Sequence, residues 1–562
     1  MHNVDCMMNC LYTSRCPSPV SPLEPYPDWF SALLRARGID APDKAERFLS
    51  PSPEDLHDPF LLEGMEKTVS LLGEAVAKGE TILVWGDYDV DGICAASVLM
   101  DMLHEMGASL AYRIPSRHSE GYGLNEAGIR EIAGKCRLLV TVDCGVSSVK
   151  EVALAKELGL TVIVTDHHQP PEQLPAADVV MDPLLGNYPF PFLCGAGVAL
   201  KICQALQGME GVEKRLDLAA LATVADVVPL QGENRFIVRE GLKRLAASRR
   251  PGVRALIRSA GLQPPLSADD LAFRLGPRLN AAGRLGDAKL GVHLLLTPDP
   301  AKAEYIAGLL EKANRERQAL EKAMTDEALR QVRDSSVLPG AHVLLAQGEG
   351  WNPGVIGLTA GKLCEKFHRP AIALSLQDGL AVGSCRSIPG VHIYRMLAAC
   401  AGLLERFGGH EQAAGLTVRE ENIPALRERL EQEIASSVPK ECFLPTREYD
   451  LSLPFSTWTE ETLDLLDQLE PTGCGNPPPL FRLEDARVVS LRRVGRDGSH
   501  LKLSLLDGGR DPVDGVAFFL GEIADRNPQR LDLLYRPVRN EFRGRTAIEA
   551  QISAINPIDG TQ

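Results

Sequence analysis

The sequence predicts an α/β protein of several domains, and three observations support this prediction. Short apolar runs alternate with amphipathic helical patterns from residue 81 to about 230, as in a parallel sheet covered by helices. A long helical pattern at 298–334 then leads into a second α/β region. Five short segments separated by turns follow near the C-terminus and are typical of a small β-barrel. The length of 562 residues fits about three or four such domains.

Composition argues against a membrane-spanning protein, a disulfide-rich protein and a protein coated in nucleic acid. The chain is 44% apolar and 24% charged, and no apolar run approaches the roughly 18 residues of a membrane span. The thirteen cysteines form no CxxC pair. Several lie in apolar runs and are expected to be reduced core thiols of a cytoplasmic protein, namely Cys94, Cys203, Cys364 and Cys400. A net charge of −15 argues against a protein coated in nucleic acid, although it allows a basic channel on an acidic body.

The order of these patterns predicts five regions along the chain. The first 44 residues lack the apolar core of a secretory signal and are expected to be a poorly ordered segment and lead-in. The predicted regions after it are a parallel-sheet domain at 45–235, a connecting helical region at 236–340, a second α/β lobe at 341–440 and a β-barrel at 445–562. The turn-rich stretch "LEPTGCGNPPPLF" marks the junction before the barrel.

Acidic and imidazole side chains follow three predicted strands of the first domain. "TILVW" leads into "GDYDVDG", "LLVTV" into "DCG", and "TVIVT" into "DHH", while a later apolar helix or turn adds one more acid. These side chains are Asp87, Asp89, Asp91, Asp143, Asp166, His167, His168 and Asp226. Carboxyl ends of parallel strands meet at one sheet edge, so these groups should converge. Each motif alone also suits a capped turn, but their joint occurrence favours a site.

Crowded carboxylates are unfavourable as bare anions, and cations relieve the repulsion. Carboxylates combined with imidazoles suit Mn²⁺ or Mg²⁺. A bridging aspartate can hold two such ions about 4 Å apart, an arrangement that serves in-line displacement at phosphorus. The sequence therefore predicts a two-metal site.

The motifs resemble those of the DHH phosphoesterase superfamily, in "GDYDVDG", "VDCG", "DHH" and "ATVADVVPL". Five further motifs are similar to the RecJ family of exonucleases within it. They are "GPRLNAAGRLGDA" at 276–288, "GWNPGVIGLTAGKL" at 350–363, "GSCRSIPG" at 383–390, "GGHEQAAG" at 408–415 and "EPTGCGNPPPLF" at 470–481. The resemblance covers residues 45–555 and implies a DHH domain, a long connecting helix, a DHHA1-like lobe and an OB-like barrel.

The resemblance also implies roles for the clustered side chains. The implied metal ligands are Asp89, Asp91, Asp143, His167 and Asp226, with Asp143 as the bridge. His168 would contact the scissile phosphate and stabilise developing charge. Asp166 would orient a metal-bound imidazole. Asp87 is either a further ligand or an acid behind the ligands, and the sequence leaves this open.

Basic and polar residues elsewhere are expected to hold the substrate. The implied phosphate and strand-end contacts are Arg278, Asn280, Arg284, Ser384, Arg386 and His410, since arginine forks match phosphate. The barrel interleaves arginines with Tyr535 and Phe542, a pattern suited to single strands. Its cations are Arg492, Arg493, Arg496, Lys502, Arg536, Arg539, Arg543 and Arg545. The alternative for the two aromatics is barrel core, and this is favoured for at least one of them.

Family resemblance implies a 5′→3′ exonuclease that releases mononucleotides from single-stranded DNA during recombination and repair. The polarity follows from the resemblance alone. A channel too narrow for duplex DNA would require a helicase, and a single-strand-binding protein is an expected partner of this monomeric, cytoplasmic enzyme without membrane contact. One alternative is an oligoribonuclease or cyclic dinucleotide phosphodiesterase, which would lack residues 470–555. The other is an inactive single-strand-binding relative, which would not need the acids.

Overall fold

A computed structural model describes residues 10–16, 21–116, 120–285, 287–334, 340–509, 511–542 and 545–558. The chain divides into two compact units. The first unit comprises residues 42–317 and 469–478, and the second comprises residues 1–41, 318–468 and 479–562. Within the described parts of the chain, no helix has both the length and the apolar character needed to cross a bilayer.

The N-terminal segment is more ordered than the sequence predicts. Strand β1 (Leu11–Ser14) pairs in parallel with residues 446–449, and helix α1 (Asp28–Ala36) follows. Beyond α1, the Arg37 guanidinium lies 3.4 Å from the buried Asp450 carboxylate. The expectation of a poorly ordered start is therefore wrong for the described residues. A four-residue strand whose partner lies more than 400 residues away leaves too short a periodic pattern to detect.

A parallel sheet organises the first unit. Its elements, in chain order, are α2 (Pro42–Leu49), α3 (Met65–Lys78), β2 (Thr81–Trp85), α4 (Val90–Glu105), β3 (Ser109–Arg113), α5 (Glu126–Ile132), β4 (Leu138–Val142), α6 (Val149–Glu157), β5 (Thr161–Thr165) and β6 (Val179–Met181). The strand order is β3-β2-β4-β5-β6, and all neighbours are parallel. Strand β3 was not predicted, because this half-exposed edge strand, "SLAYR", has no continuous apolar run.

The other helices of the first unit surround a large apolar core. They are α7 (Gly195–Glu213), α8 (Leu216–Ala225), α9 (Gly232–Ala246), α10 (Pro251–Ser259), α11 (Gly276–Leu285), α12 (Lys289–Leu296) and the 35-residue α13 (Pro300–Asp334), which extends into the second unit. Helix α4 contacts both α7 and α8 and is buried on nearly every face, which explains its mostly apolar sequence. The long helix predicted at 298–334 agrees with α13.

A mixed sheet forms the α/β part of the second unit. Its elements are β7 (Leu344–Glu349), α14 (Ile356–Phe367), β8 (Ala371–Gln377), β9 (Leu380–Arg386), α15 (Ile393–Ala399), β10 (Leu404–Gly409), β11 (Ala413–Arg419) and α16 (Ile423–Ser437). The strand order is β10-β11-β9-β8-β7, and only β7 and β8 are parallel. Asp378 and Gly379, with φ of 50° and 81°, make the tight β8–β9 hairpin turn.

The C-terminal strands pair in a ring. The elements are β12 (Thr446–Tyr449), β13 (Leu451–Ser452), α17 (Glu460–Asp467), β14 (Phe481–Val494), β15 (His500–Leu506), β16 (Val513–Ala517), α18 (Ile523–Arg526), β17 (Arg530–Phe542) and β18 (Arg545–Pro557). Pairing runs β14-β15-β16-β18-β17 and returns to β14, as expected for an OB-like domain. All five strands predicted here are present.

Tyr535 and the predicted core cysteines lie in the interior of the protein. Tyr535 is fully buried, accepts a 2.8 Å hydrogen bond from Trp458 Nε1 and donates to the Leu453 carbonyl, so it belongs to the core. The side chains of Phe542 and Arg545, and residue Arg543 as a whole, lie outside the described residues. The predicted core thiols Cys94, Cys203, Cys364 and Cys400 are buried and form no disulfide.

Candidate metal centre

The acids after β2 lie where the strand passes into helix α4. Asp89 is the N-cap of α4, and its Oδ1 accepts a 3.0 Å hydrogen bond from Gly92 N. Asp91, in the first turn, accepts from Gly195 N at 2.6 Å and Ala196 N at 2.8 Å. These are the first residues of α7, so a helix N-terminus holds this carboxylate.

Asp87 lies deeper than its two neighbours. Its side chain is buried, and its Oδ1 has no hydrogen-bond partner among the described residues. A Cβ added at Gly92 would lie 2.5 Å from the Asp87 amide nitrogen, so this turn requires glycine. The unpaired oxygen suits a cation ligand, because a buried carboxylate oxygen without a donor is otherwise unfavourable.

His167 is the centre of the cluster. Its Nε2 lies 3.1 Å from Asp143 Oδ1, 3.6 Å from Asp91 Oδ2 and 3.7 Å from Asp226 Oδ2. Asp143 follows β4 with a left-handed φ of 60°, and Asp226 caps the C-terminus of α8. The ligand atoms therefore come from four separate stretches of sequence. Three of these stretches follow strands, as the parallel-sheet rule predicts, and the end of α8 supplies the fourth.

Two overlapping sets of ligand atoms can hold ions. One set is Asp91, His167 and Asp226, and the other is Asp143, His167 and His168; within each set the atoms lie within 4.8 Å of one another. Oxygen and imidazole donors of this kind fit Mn²⁺ or Mg²⁺. The two sets share His167, so a second ion would need the carboxylates of Asp87, Asp89 or Asp143 as well.

His168 forms an ion pair with Asp166. Its Nδ1 lies 2.7 Å from Asp166 Oδ1, and Asp166 also accepts from the backbone amides of Val146 and His167. Burial disfavours the charged ring, but the Asp166 hydrogen bond and charge outweigh it and raise the pKa of His168 to about 9. The ring is therefore a cation at neutral pH, beside the acids.

Burial and mutual repulsion raise the pKa values of Asp87, Asp143 and Asp226. Burial and the charge of Asp89 raise the pKa of Asp87 to about 7. Burial and the charge of Asp91 raise the pKa of Asp226 to about 8, and the pKa of Asp143 lies well above its ordinary range for the same reasons. Divalent cations would reverse these shifts, so the acids fit a metal centre.

The stability of the metal-free protein should fall as the pH rises from 5 to 8. The pKa values of Asp87 and Asp226 are raised on folding, so the native state binds more protons than the unfolded state in this range. The lowered pKa values of His167 and His368 act in the opposite direction, but the raised pKa of His168 acts in the same direction as the acids. Thermal unfolding in EDTA at pH 5 to 8 measures the effect. A melting temperature that rises steadily with pH, with no stabilisation by Mn²⁺ at pH 8, would contradict this account.

The substrate residues predicted in the first unit lie on α11. Asn280 Oδ1 accepts from Val90 N at 3.2 Å, which places Asn280 beside Asp89 and Asp91. The Arg278 side chain is ion-paired with Glu311 at 2.8 Å and is 13% exposed. Arg284 lies on the same helix. Of these three residues, Asn280 is the one with a hydrogen bond to the segment that carries Asp89 and Asp91.

The predicted residues of the second unit lie on neighbouring strands. Arg386 Nη1 donates to Ser384 Oγ at 3.2 Å, both on β9. A Cβ at Gly357 would lie 3.1 Å from Arg386 Nη2, so these polar groups lie against bare backbone at the start of α14. The exposed His410 follows β10, and its amide closes the hairpin on Ala413, the register partner of Arg386.

Sequence reasoning missed two side chains at the cluster. Tyr122 donates to the Asp143 carbonyl at 3.0 Å, and its hydroxyl lies 3.2 Å from His168 Nδ1. Asp182 follows β6, so a fourth strand of the sheet also ends in a buried acid, and burial raises its pKa to about 7. Sequence signals existed for both, namely a tyrosine between two glycines in "EGYGL" and an acid directly after "VVM".

Three family models match the chain in the order in which its regions occur. The DHH family N-terminal domain matches residues 81–225, the DHHA1 domain residues 340–436 and the RecJ OB domain residues 449–554. The fold and the acid–histidine cluster thus define a protein of the DHH class.

Similar proteins narrow the class further. The RecJ single-stranded-DNA-specific exonuclease of Dickeya dadantii is 36% identical over 95% of this chain and 97% of its own length. The one from Bacillus subtilis is 39% identical over 88% of this chain, which spans 63% of that longer protein. The crystal structure of Thermus thermophilus RecJ in complex with Mn²⁺ matches with a TM-score of 0.81 at 33% identity, covering 94% of this chain and 76% of that one. The chain belongs to the RecJ family.

Proposed function

We propose that this protein is an exonuclease that degrades single-stranded DNA from 5′ to 3′ and releases 5′-mononucleotides in recombination and repair. The convergence of Asp91, Asp143 and Asp226 on His167 Nε2 is the observation that supports it most strongly. The relatives that match nearly all of the chain are described as single-stranded-DNA-specific exonucleases.

Two Mn²⁺ or Mg²⁺ ions are the proposed cofactors. Their ligands would be Asp89, Asp91, Asp143, His167 and Asp226, and Asp87 either joins them or supports them. When bound, such a pair supplies Lewis acidity and lowers the pKa of water. The donor set fits, because burial and crowding hold the pKa values of Asp143 and Asp226 high until a cation offsets the charge.

The residues around the ions would bind and polarise the phosphate. In hydrolysis, a water oxygen adds to phosphorus and the O3′ of the terminal nucleotide departs, so the shortened strand keeps a 5′-phosphate. The charged His168 would donate to a phosphoryl oxygen and stabilise the negative charge that develops there. Asp166 keeps the ring charged and oriented, and Tyr122 fixes the backbone of Asp143 beside it.

Cations outside the metal centre would hold the strand. Arg278, Asn280 and Arg284 are the proposed backbone contacts of the first unit. In the OB-like domain, Arg492 and Lys502 are register partners on adjacent strands. Arg539 is engaged by three exposed carboxylates, of Glu460, Asp464 and Asp467. Exposed ion pairs are weak, so a phosphate could replace these partners.

A labelled single strand tests the function directly. Incubation of a 5′-labelled oligonucleotide and its duplex with Mn²⁺ should release labelled mononucleotide early, from the single strand only, and EDTA should stop the reaction. Cleavage restricted to dinucleotides would favour the phosphodiesterase alternative, and binding without cleavage would favour an inactive relative. A 3′ label tests the polarity, because early release of that label would show the opposite direction.

The proposed context is a cytoplasmic monomer that receives single strands from a helicase and meets a single-strand-binding protein on them. The support is the preference for single strands, since duplex DNA must then be opened first. Light scattering of the purified chain tests the monomer. If duplex DNA were degraded at the same rate with and without an added helicase, the proposal that a helicase supplies the single strands would be contradicted.

Arg386→Ala should weaken binding of short oligonucleotides about tenfold and change kcat little. The Arg386 guanidinium donates to Ser384 Oγ, and Arg386 is far from the acids in the sequence. One charge-assisted contact with a phosphate is worth about 1.5 kcal/mol. Steady-state kinetics on a short single strand measures KM and kcat. Arg419→Ala is the matched control, because this exposed arginine of the same sheet pairs with Glu405. Equal effects of both variants would remove Arg386 from the substrate site.

A further inference from the structure

Ten residues between α17 and β14, residues 469–478, belong to the first unit although the chain on both sides belongs to the second. We call this stretch, "LEPTGCGNPP", the clamp segment. The sequence identifies it as a turn-rich junction and as part of a motif that resembles the RecJ family, without assigning it a role. Its contacts within the first unit indicate a more specific role.

Two buried side chains fix the clamp segment in place. Arg235, on α9, is 1% exposed and donates to the carbonyls of Leu469, Glu470 and Pro471 at 3.0 to 3.2 Å. Asn476, fully buried, donates to the Leu469 and Pro471 carbonyls at 2.8 and 2.9 Å. A buried guanidinium that is satisfied by backbone carbonyls defines one conformation of the segment, because any other would leave the charge unpaired.

The other end of the clamp segment holds the loop between α8 and α9. Leu230 N donates to the Cys474 carbonyl at 2.8 Å, and Gln231 Nε2 donates to the Gly475 carbonyl at 2.6 Å. Gly475 has a φ of 69°, and a Cβ there would lie 2.9 Å from Pro229 Cβ. The Gly475 backbone therefore packs directly on Pro229, with no space for a side chain.

This loop begins with Asp226. Asp226 caps the end of α8, and the next residue, Val227, has a strained left-handed φ of 60° and is 67% exposed. The end of α8 positions the backbone that leads into Asp226. The clamp segment fixes the position of the backbone four residues later, at Leu230. A β-branched residue in the left-handed region persists only when the surroundings enforce it.

We propose that the clamp segment is a positioning element for Asp226 and thereby sets the affinity of the metal centre. The proposal rests on the proposed function only in taking Asp226 as a metal ligand. Loosening the clamp segment would let Asp226 move away from His167 without touching any ligand. Residues that orient metal ligands in this way typically contribute 10- to 100-fold to affinity.

Gly475→Ala in the full-length protein tests the proposal. Mn²⁺ binding without DNA, followed by the electron paramagnetic resonance of free Mn²⁺, should show one site weakened about tenfold. Exonuclease activity should fall at low Mn²⁺ and recover at high Mn²⁺. Gly508→Ala is the matched control, because Gly508 also has a positive φ, of 91°, but open space around it. Cys474→Ser should bind Mn²⁺ normally, since only the Cys474 carbonyl is used.

Gln231→Ala keeps the test decisive if Gly475→Ala does not fold. It removes one hydrogen bond to the clamp segment and should weaken Mn²⁺ binding about threefold. Unchanged Mn²⁺ affinity in every folded variant would overturn the proposal, as would a wild-type protein that binds no Mn²⁺. Wild-type protein that binds Mn²⁺ but cleaves no single strand would refute the proposed function alone, and the Mn²⁺ affinities would still decide the role of the clamp segment.

Discussion

Replacing Asp143 with asparagine should reduce single-strand hydrolysis in Mn²⁺ by about 10³-fold or more, equivalent to about 4 kcal/mol of activation free energy. Asp143 lies 3.1 Å from the Nε2 of His167, the residue that the two candidate ligand sets share. Asparagine has the same shape and tolerates the φ of 60°, so only the charge and one ligand oxygen change.

Asp143→Asn should weaken metal binding without lowering the stability of the metal-free fold. Without metal, Asp143→Asn should melt at the same temperature as wild type or slightly higher, because it removes a repelling carboxylate whose pKa burial already raises. Mn²⁺ should then stabilise wild type more than the variant. Differential scanning calorimetry with and without Mn²⁺ measures both effects.

Asp378→Asn is the matched control for this prediction. Asp378 also has a positive φ, of 50°, but it lies in the β8–β9 hairpin turn. The control should keep wild-type activity and the wild-type response to Mn²⁺. Substantial hydrolysis by Asp143→Asn, or an equal loss in the control, would show that Asp143 does not bridge the ions.

Replacing His168 with alanine should lower kcat by about 10²- to 10³-fold, a typical cost of removing one group that stabilises transition-state charge. His168 belongs to one of the candidate ligand sets, but the affinity for Mn²⁺ should change little, because Asp166 holds its Nδ1 at 2.7 Å. Single-turnover rates and a Mn²⁺ titration distinguish the two effects. A large loss of Mn²⁺ affinity with a preserved rate at saturating Mn²⁺ would instead make His168 a ligand.

Asp166→Asn should cause part of the loss of kcat expected for His168→Ala, and the size of this loss should depend on pH. The Asp166 charge holds the pKa of His168 at about 9 against the effect of burial. Without it the pKa falls, so the ring is neutral at pH 8 and regains its charge as the pH is lowered. The alkaline limb of the pH–rate profile should therefore shift to lower pH. His104→Ala, an exposed histidine of α4, is the control and should leave the profile unchanged.

Much of the site was readable in the sequence because the acids lie next to strong local patterns. Strands β2, β4 and β5 are continuous apolar runs, since they are buried on both faces, and each is followed directly by its acids. Because the carboxyl ends of parallel strands meet at one edge of the sheet, those acids are expected to lie together there. The roles of the individual ligands follow from the family resemblance and not from any local pattern.

The sequence by itself therefore determined the α/β class, the long helix, the OB-like strands and the cluster of acids and imidazoles. Tertiary structure alone decided that β1 pairs with β12, that Tyr122 contacts Asp143 and His168, and that residues 469–478 pack on the loop after Asp226. The reason is the range of the interactions. Periodicity and capping act over a few residues, whereas these contacts join segments 21 to more than 400 residues apart. Several of them use backbone groups, which almost any sequence can supply, and the Tyr122 contacts depend on where the fold places one hydroxyl.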